Sequence, residues 1–417
     1  MDFTYEAALG SEGLRLLAPI SVTREALHFS ITTVPRRFAP PYTAVSYCWG
    51  DDEASELVHL NGRRFWVRLN LWSCLYYLGL DAGRGGYTHL WVDAICINQS
   101  DDAERNAQVR RMDQTYRSAA CVSVWLGLPT VPDDRTRGWP EHVPVKTIEA
   151  DPFDWSDNIT DIANRVYWSR IWVIQEFLLG QNVVLCCSNK RIDWQAFQTI
   201  LCWETGVDEF DPDFGTSRRD TNRAAALTHG ALPLVMHRHV DKYPEYLQPL
   251  YDLVVRHHRS ECRDPRDRVF ALLGLVTPLE RRLLERFFPD YSISVDHVRI
   301  IALAHVLQSQ EPLPLQVEIT PDSEELFLGL GVTTKRERRR LLRRAGEFDY
   351  LGDWAFGQAT GYLVSSDELD GYRHDEHNER DEPETAHRSS TLPVVKLGLA
   401  VVGCMFILST AALIARR

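Results

Sequence analysis

The chain has 417 residues, 44% of them apolar and 25% charged, with a formal net charge of −12. At roughly 150 residues per domain it holds two or three units, and its ordinary composition, with twelve tryptophans, supports a full hydrophobic core. The acidic balance excludes a general nucleic-acid binder, which needs a basic face to release counterions from phosphates. Nine cysteines, an odd count without a C-x-x-C pair, read as reduced thiols of a cytosolic domain.

Residues 1–41 read as a lead-in with short strands, such as 26–31. They show no basic start and no unbroken apolar run, so no signal peptide is expected. Residues 43–48 predict a strand that ends at the turn residues Gly50-Asp51-Asp52, and residues 90–93 predict a second. Between 101 and 120 the period becomes helical, with Val109, Met112, Tyr116 and Ala119 recurring at helical spacing. Asp101 and Glu104 predict a capping box at its start. A third strand, 121–126, precedes a loop rich in Pro and Asp from 129 to about 157. A helix over 168–179, stopped by Gly180, and a fourth strand, Val183–Cys187, follow. Strands alternating with helices predict a parallel, doubly wound sheet.

Residues 188–310 read as mainly helical, for example 247–258 and 269–276. Residues 311–392 form a charged, variable region. Within it, 335–344 holds seven basic residues in ten and 367–384 is strongly acidic; both read as solvated surface or linker. The region 393–415 contains LGLAVVGCMFILSTAALIA, nineteen uncharged residues from 397 to 415. As a helix it spans ~28 Å, close to the ~30 Å of a bilayer core. Lys396 and Arg416-Arg417 bracket it, where long side chains reach head groups. This predicts a single-pass membrane helix with the main domain facing the cytosol.

Three strings stand out together: Tyr42-Thr-Ala-Val-Ser-Tyr-Cys-Trp-Gly-Asp51, Leu90-Trp-Val-Asp-Ala-Ile-Cys-Ile-Asn-Gln99 and Tyr167-Trp-Ser-Arg-Ile-Trp-Val-Ile-Gln-Glu176. In this order they resemble the fungal heterokaryon-incompatibility (HET) domain over about 42–187. The runs 263–274 and 289–292 resemble segments that commonly follow that domain, which extends the resemblance to about 305. The resemblance implies nonself recognition and cell death when incompatible fungal cells fuse.

The same strings are remotely similar to the TIR domain, a flavodoxin-like parallel sheet with flanking helices. Ser46-Tyr47, Asp93 and Trp172-x-x-x-Glu176 stand where TIR domains carry their three boxes. Some TIR domains cleave NAD with the Glu of that helix, which implies Glu176 as the catalytic residue here. Tyr47, Trp49, Asp93, Asn98 and Trp172 are then the substrate-binding candidates, with NAD as substrate and no bound cofactor. The chemistry suits a carboxylate, because nicotinamide departure leaves an oxocarbenium-like ribose that a fixed negative charge stabilises. Trp172 and Glu176 are four apart and share a helical face, so Trp172 would wall a pocket. Tyr47 and Trp49, past a strand's carboxyl end, would stack on a flat ring.

Structural roles compete with each of these. Trp172 also suits a core anchor, Glu176 a partner of Arg170, Asp93 and Asn98 holders of loop amides, and Trp49-Gly50-Asp51 a plain turn. Other chemistries find little support. The sequence has no H-E-x-x-H, phosphate-binding G-x-x-x-x-G-K-[ST] or G-x-S-x-G string, no metal site is expected at His237, His239, His257 or His258, and Cys96 has no nearby histidine. Two functions remain: a signalling enzyme that consumes NAD or a related nucleotide, and an interaction module that assembles with itself or with protein partners. An enzyme needs Glu176 on an open pocket; a module can keep it paired and covered.

Overall fold

The computed structural model describes residues 1–50, 53–82, 88–128, 155–205, 230–240, 247–308, 319–348 and 350. The first half builds one nine-stranded sheet. Strands β1 (Gly13–Val22) and β2 (Leu27–Pro35) make an antiparallel hairpin, followed by β3 (Thr43–Tyr47). A second hairpin, β4 (Glu56–Leu60) and β5 (Arg63–Val67), turns at Asn61-Gly62. Both turn residues have positive φ, 50° and 77°, as a tight hairpin turn demands and as Asn-Gly tolerates.

Then come α1 (Leu69–Ala82), β6 (Leu90–Trp91), α2 (Asp93–Cys96), α3 (Asp102–Val109), α4 (Met112–Ser118) and β7 (Cys121–Trp125). They are followed by α5 (Trp155–Ala163), a 3-10 turn at Val166–Ser169, α6 (Ile171–Leu179), β8 (Val183–Cys187) and β9 (Lys190–Asp193).

The strand order is β5-β4-β2-β1-β6-β3-β7-β8-β9. The four strands expected from the sequence form a contiguous parallel block, β6-β3-β7-β8, with Thr43 opposite both Leu90 and Cys121 and Val122 opposite Val183. Every residue of β3 and β7 is buried, as strands covered by helices on both faces require. The sheet as a whole is mixed, not parallel. Residues 1–41 are no mere lead-in: β1 lies between β2 and β6, antiparallel to both, and β9 closes the other edge antiparallel to β8.

Local pattern and observed elements differ in instructive places. The strand expected over 90–93 stops at Trp91, and Asp93 instead opens α2. The helix expected over 101–120 breaks at Arg110-Arg111 into α3 and α4. That bend sends the Gln108 amide to the Gly10 carbonyl (2.8 Å) and the Tyr116 hydroxyl to the Val45 carbonyl (3.3 Å). Asp101 does cap α3, accepting from the Glu104 amide at 3.0 Å. Glu104 does not complete the box; its carboxylate turns inward to Arg15 and to the amides of Leu9 (2.8 Å) and Asn98 (2.7 Å).

Gly180 ends α6, but not through the left-handed conformation expected of a glycine stop: its φ is −63°. A Cβ at that position would come 2.5 Å from Val122 Cγ2, so close approach to β7 demands the glycine.

The second half is mainly helical: α7 (Trp194–Thr205), α8 (Ala231–Val240), α9 (Leu250–Arg256), α10 (Asp267–Phe270), α11 (Pro278–Leu284), α12 (Val295–Gln308), α13 (Glu324–Gly329) and α14 (Lys335–Glu347). The helix expected over 247–258 is shorter, starting after Pro249, and 269–276 divides between α10 and a 3-10 turn, Leu273–Leu275. The basic run 335–344 is not linker. It lies in α14, which packs on α12 and buries Arg338, Leu341 and Ala345, one face of the helix at three- and four-residue spacing.

This helical half grips α6 at both ends. Ile171 N donates to the Glu261 carbonyl (2.9 Å), and Glu261 N donates to that of Ser169 (2.6 Å). At the far end, the Arg238 guanidinium donates to the carbonyls of Phe177, Leu178 and Gly180, which α6 itself leaves unpaired. Among the described residues no helix is long and apolar enough to cross a membrane. The stretch 397–415, the acidic segment 367–384 and most of the loop expected over 129–157 lie outside the described residues.

Candidate functional site

The carboxyl ends of β3 and β6 meet the start of α6, and three of the sequence's candidates gather there. Trp49 Nε1 donates to Asp93 Oδ2 at 2.9 Å, and Asp93 Oδ1 accepts from the Ala94 amide at 2.7 Å. Burial pushes the Asp93 carboxyl above its usual range, against the pull of Arg170 and the Trp49 hydrogen bond. The Arg170 guanidinium, at the start of α6, donates to the Tyr47 carbonyl.

Glu176 lies one and a half turns along α6, 3% exposed. It accepts from Ser46 Oγ, which is 2.7 Å from the Tyr167 hydroxyl, and Tyr116 reaches the same carboxyl. Burial raises the Glu176 pKa to about 7; Arg170 opposes the rise and Asp93 adds to it. Glu176 therefore holds or releases a proton near neutrality inside a shell of hydroxyls, with Arg170 as its compensating charge.

Other candidates are placed elsewhere. Successive strand residues face opposite sides of a sheet, so while Ser46 turns to α6, the Tyr47 phenol lies under α1. It is 3% exposed, and burial, with Asp93 and Cys74 nearby, raises its pKa. Tyr47 thus offers its carbonyl to the cluster, not a ring to a ligand. Trp49 is half-buried, with Arg68 5.6 Å over its ring. Asn98 organises its own loop: its Oδ1 accepts from the Ser100 amide at 3.2 Å.

Trp172 does not wall a pocket beside Glu176. Its indole donates to Asp267 of α10 at 2.9 Å, and the Tyr291 hydroxyl donates to the other oxygen at 2.6 Å. Burial raises Asp267 to about 6. Burial also pushes the Cys96 thiol up to about 12, which leaves it no nucleophilic thiolate at neutral pH.

Sequence reasoning missed Tyr116 beside Glu176 and Tyr167 behind Ser46, and left Ser46 and Arg170 out of the candidate set. Ser46, Tyr167 and Arg170 all stand inside the three strings; only Tyr116 lies outside them. A cavity of about 160 Å³ lies between α1 and the sheet, lined by Thr43, Leu78, Cys121, Ser123, Cys186 and Arg191 among others, and no residue of the Glu176 cluster lines it.

Residues 42–176, which contain the whole cluster from Ser46 to Glu176, match the family model described as heterokaryon incompatibility protein (HET). The match covers about a third of the chain, which over these residues is similar to the HET domain. It is 28% identical over 355 residues to heterokaryon incompatibility protein 6, OR allele, of Neurospora crassa, a match covering 70% of this chain and 51% of that protein. It is 31% identical over 94 residues to vegetative incompatibility protein HET-E-1 of Podospora anserina, covering 22% of this chain and 7% of that protein. The chain thus spans about half the length of the first of these relatives and a small part of the second. No solved structure matches.

Proposed function

We propose that this chain acts in fungal nonself recognition and cell-death signalling as an interaction module, assembling with itself or with a protein partner while residues 397–415 hold it on a membrane. The names of the two relatives support the setting. The observation that carries the mode of action is the placement of Glu176: 3% exposed, on the buried face of α6 and hydrogen-bonded by Ser46 of β3. A carboxyl that must face a ribose is presented to a cleft; this one is packed.

A second reading, NAD cleavage after α6 moves, draws on one specific observation. Glu176, Asp93 and Arg170 converge at the carboxyl ends of parallel strands, and the Glu176 pKa of about 7 marks the perturbed titration typical of active sites. The block order β6-β3-β7-β8 is also that of flavodoxin-type sheets, which bind ligands at that edge. On this reading Glu176 would stabilise the ribosyl cation and Asp93 and Trp49 would flank the sugar.

Incubating the full chain with NAD at high protein concentration, and following nicotinamide, separates the two. The module reading expects no release and expects Glu176→Gln to signal cell death as the parent does. Nicotinamide release that falls roughly 10²–10³-fold in Glu176→Gln, with cell death lost in parallel, would replace the module with an enzyme.

A further inference from the structure

Helix α14 carries KRERRRLLRRAGE on a chain of net charge −12. Its inner face is spent on packing: Arg338 is buried, with its guanidinium on the carbonyls of Pro321 (3.4 Å) and Thr333 (3.2 Å). Lys335 pairs with Asp322 at 2.8 Å and Arg340 with Asp296 at 2.9 Å. Arg336, Arg339 and Arg343 are different. All three are exposed, and none makes a hydrogen bond or ion pair among the described residues. At i, i+3 and i+7 they form one stripe along the helix, and half-buried Arg340 and Arg344 extend it.

We infer that this stripe docks on an anionic lipid surface, with Arg336, Arg339 and Arg343 taking up phosphate and carboxylate head groups. Three things favour a membrane. The charges are arginines fixed in a row on a docked helix, a geometry that meets a flat anionic plane. The face opposite is already buried against α12, so the helix lies flat and does not insert. The uncharged stretch 397–415 begins about fifty residues further on, and basic clusters near such a stretch are drawn to anionic leaflets at about fivefold in affinity per arginine. The inference rests on the membrane reading for the third point only.

The test mixes the purified full chain with vesicles of phosphatidylcholine alone, or with 30% phosphatidylserine, and follows hydrogen exchange in residues 335–347 together with vesicle flotation before and after carbonate wash. Expected is protection of α14 in serine-containing vesicles only, reversed by high salt. In Arg336→Gln/Arg339→Gln/Arg343→Gln, whose changes are all on exposed side chains, it should weaken on the order of 100-fold. Carbonate-resistant flotation with equal exchange in both lipids would overturn the stripe and leave the anchor standing. Salt-sensitive flotation on serine vesicles without carbonate resistance would support the stripe and remove the anchor. Protection without vesicles, or given by a DNA or RNA duplex and not by the anionic vesicles, would overturn the inference in favour of the chain's own acidic residues or of nucleic acid.

Discussion

Glu176→Gln has a consequence for stability that needs no assumption about catalysis. In the folded chain the carboxyl titrates at about 7 against an ordinary 4.5, chiefly because burial penalises its charged form. The folded pKa is raised, so the sign is unfavourable. Below about pH 4.5 both folded and unfolded chains hold the proton, and the residue contributes nothing to pH dependence. Between about 4.5 and 7 the unfolded chain releases its proton while the folded chain keeps it, and stability falls with rising pH. Above about 7 the loss levels off at roughly 3 kcal/mol, the free-energy equivalent of the displacement.

Glutamine fills the same space, accepts from Ser46 and cannot ionise. The variant should match the parent near pH 4.5 and exceed it by roughly 3 kcal/mol above pH 7, on the order of 5 °C or more in melting temperature. Thermal unfolding of both proteins from pH 4.5 to 8.5 reads the difference directly. Asp267, which titrates at about 6, bends both curves alike and cancels. A gap that stays flat across this range, or a variant that is weaker at pH 8.5, would show that the carboxylate is stabilised in place and would refute the reasoning.

Two further expectations concern the frame around the site. Arg15→Leu strands the Glu104 carboxylate, whose side chain is fully buried, and should cost ~3–5 kcal/mol in denaturant unfolding; Arg15→Leu/Glu104→Leu should recover much of it, and a single-variant cost under ~1 kcal/mol would mean the pair contributes little. Gly180→Ala drives a methyl to 2.5 Å from Val122 Cγ2 and should cost ~1–3 kcal/mol, partly relieved by Val122→Ala; an equal penalty with and without that relief would place the strain in the backbone instead.

The parallel block was legible because each of its strands is a short, largely apolar run that local hydropathy reveals. β2 was legible in part, as the strand over 26–31, but the place of β1 and β2 in the sheet was not, because partners are chosen at long range: Leu17 pairs with Leu90 across more than seventy residues, and no neighbour of Leu17 encodes that. The break at Arg110-Arg111 escaped notice for a related reason. No proline or glycine marks it, and the helical period continues through it; the contacts that accompany the bend, Gln108 on Gly10 and Tyr116 on β3, are long-range. The site divides the same way. Glu176, Asp93 and Trp49, singled out by their strings, come close together in the fold. Trp172 was misassigned because i, i+4 spacing states which face a residue shares, not what stands opposite, and Asp267 lies ninety-five residues away. Glu104, readable as a cap, turned inward because Arg15 waits there.

The grip on α6 bears on how such a domain is inherited. A gene fragment coding only for residues 42–176 would encode β6 with a bare edge where Leu17 should pair, and α6 with terminal carbonyls that have lost Arg238. An uncovered strand edge recruits other chains, so the isolated piece would tend to aggregate. The smallest unit that recombination can shuffle intact starts no later than Leu9, whose amide feeds Glu104, and runs past Asp267, which holds Trp172. Beyond it, Arg281 on Asp113 and Tyr291 on Asn106 still tie the later helices to α4 and α3, so a cut just past Asp267 would loosen the frame of the sheet.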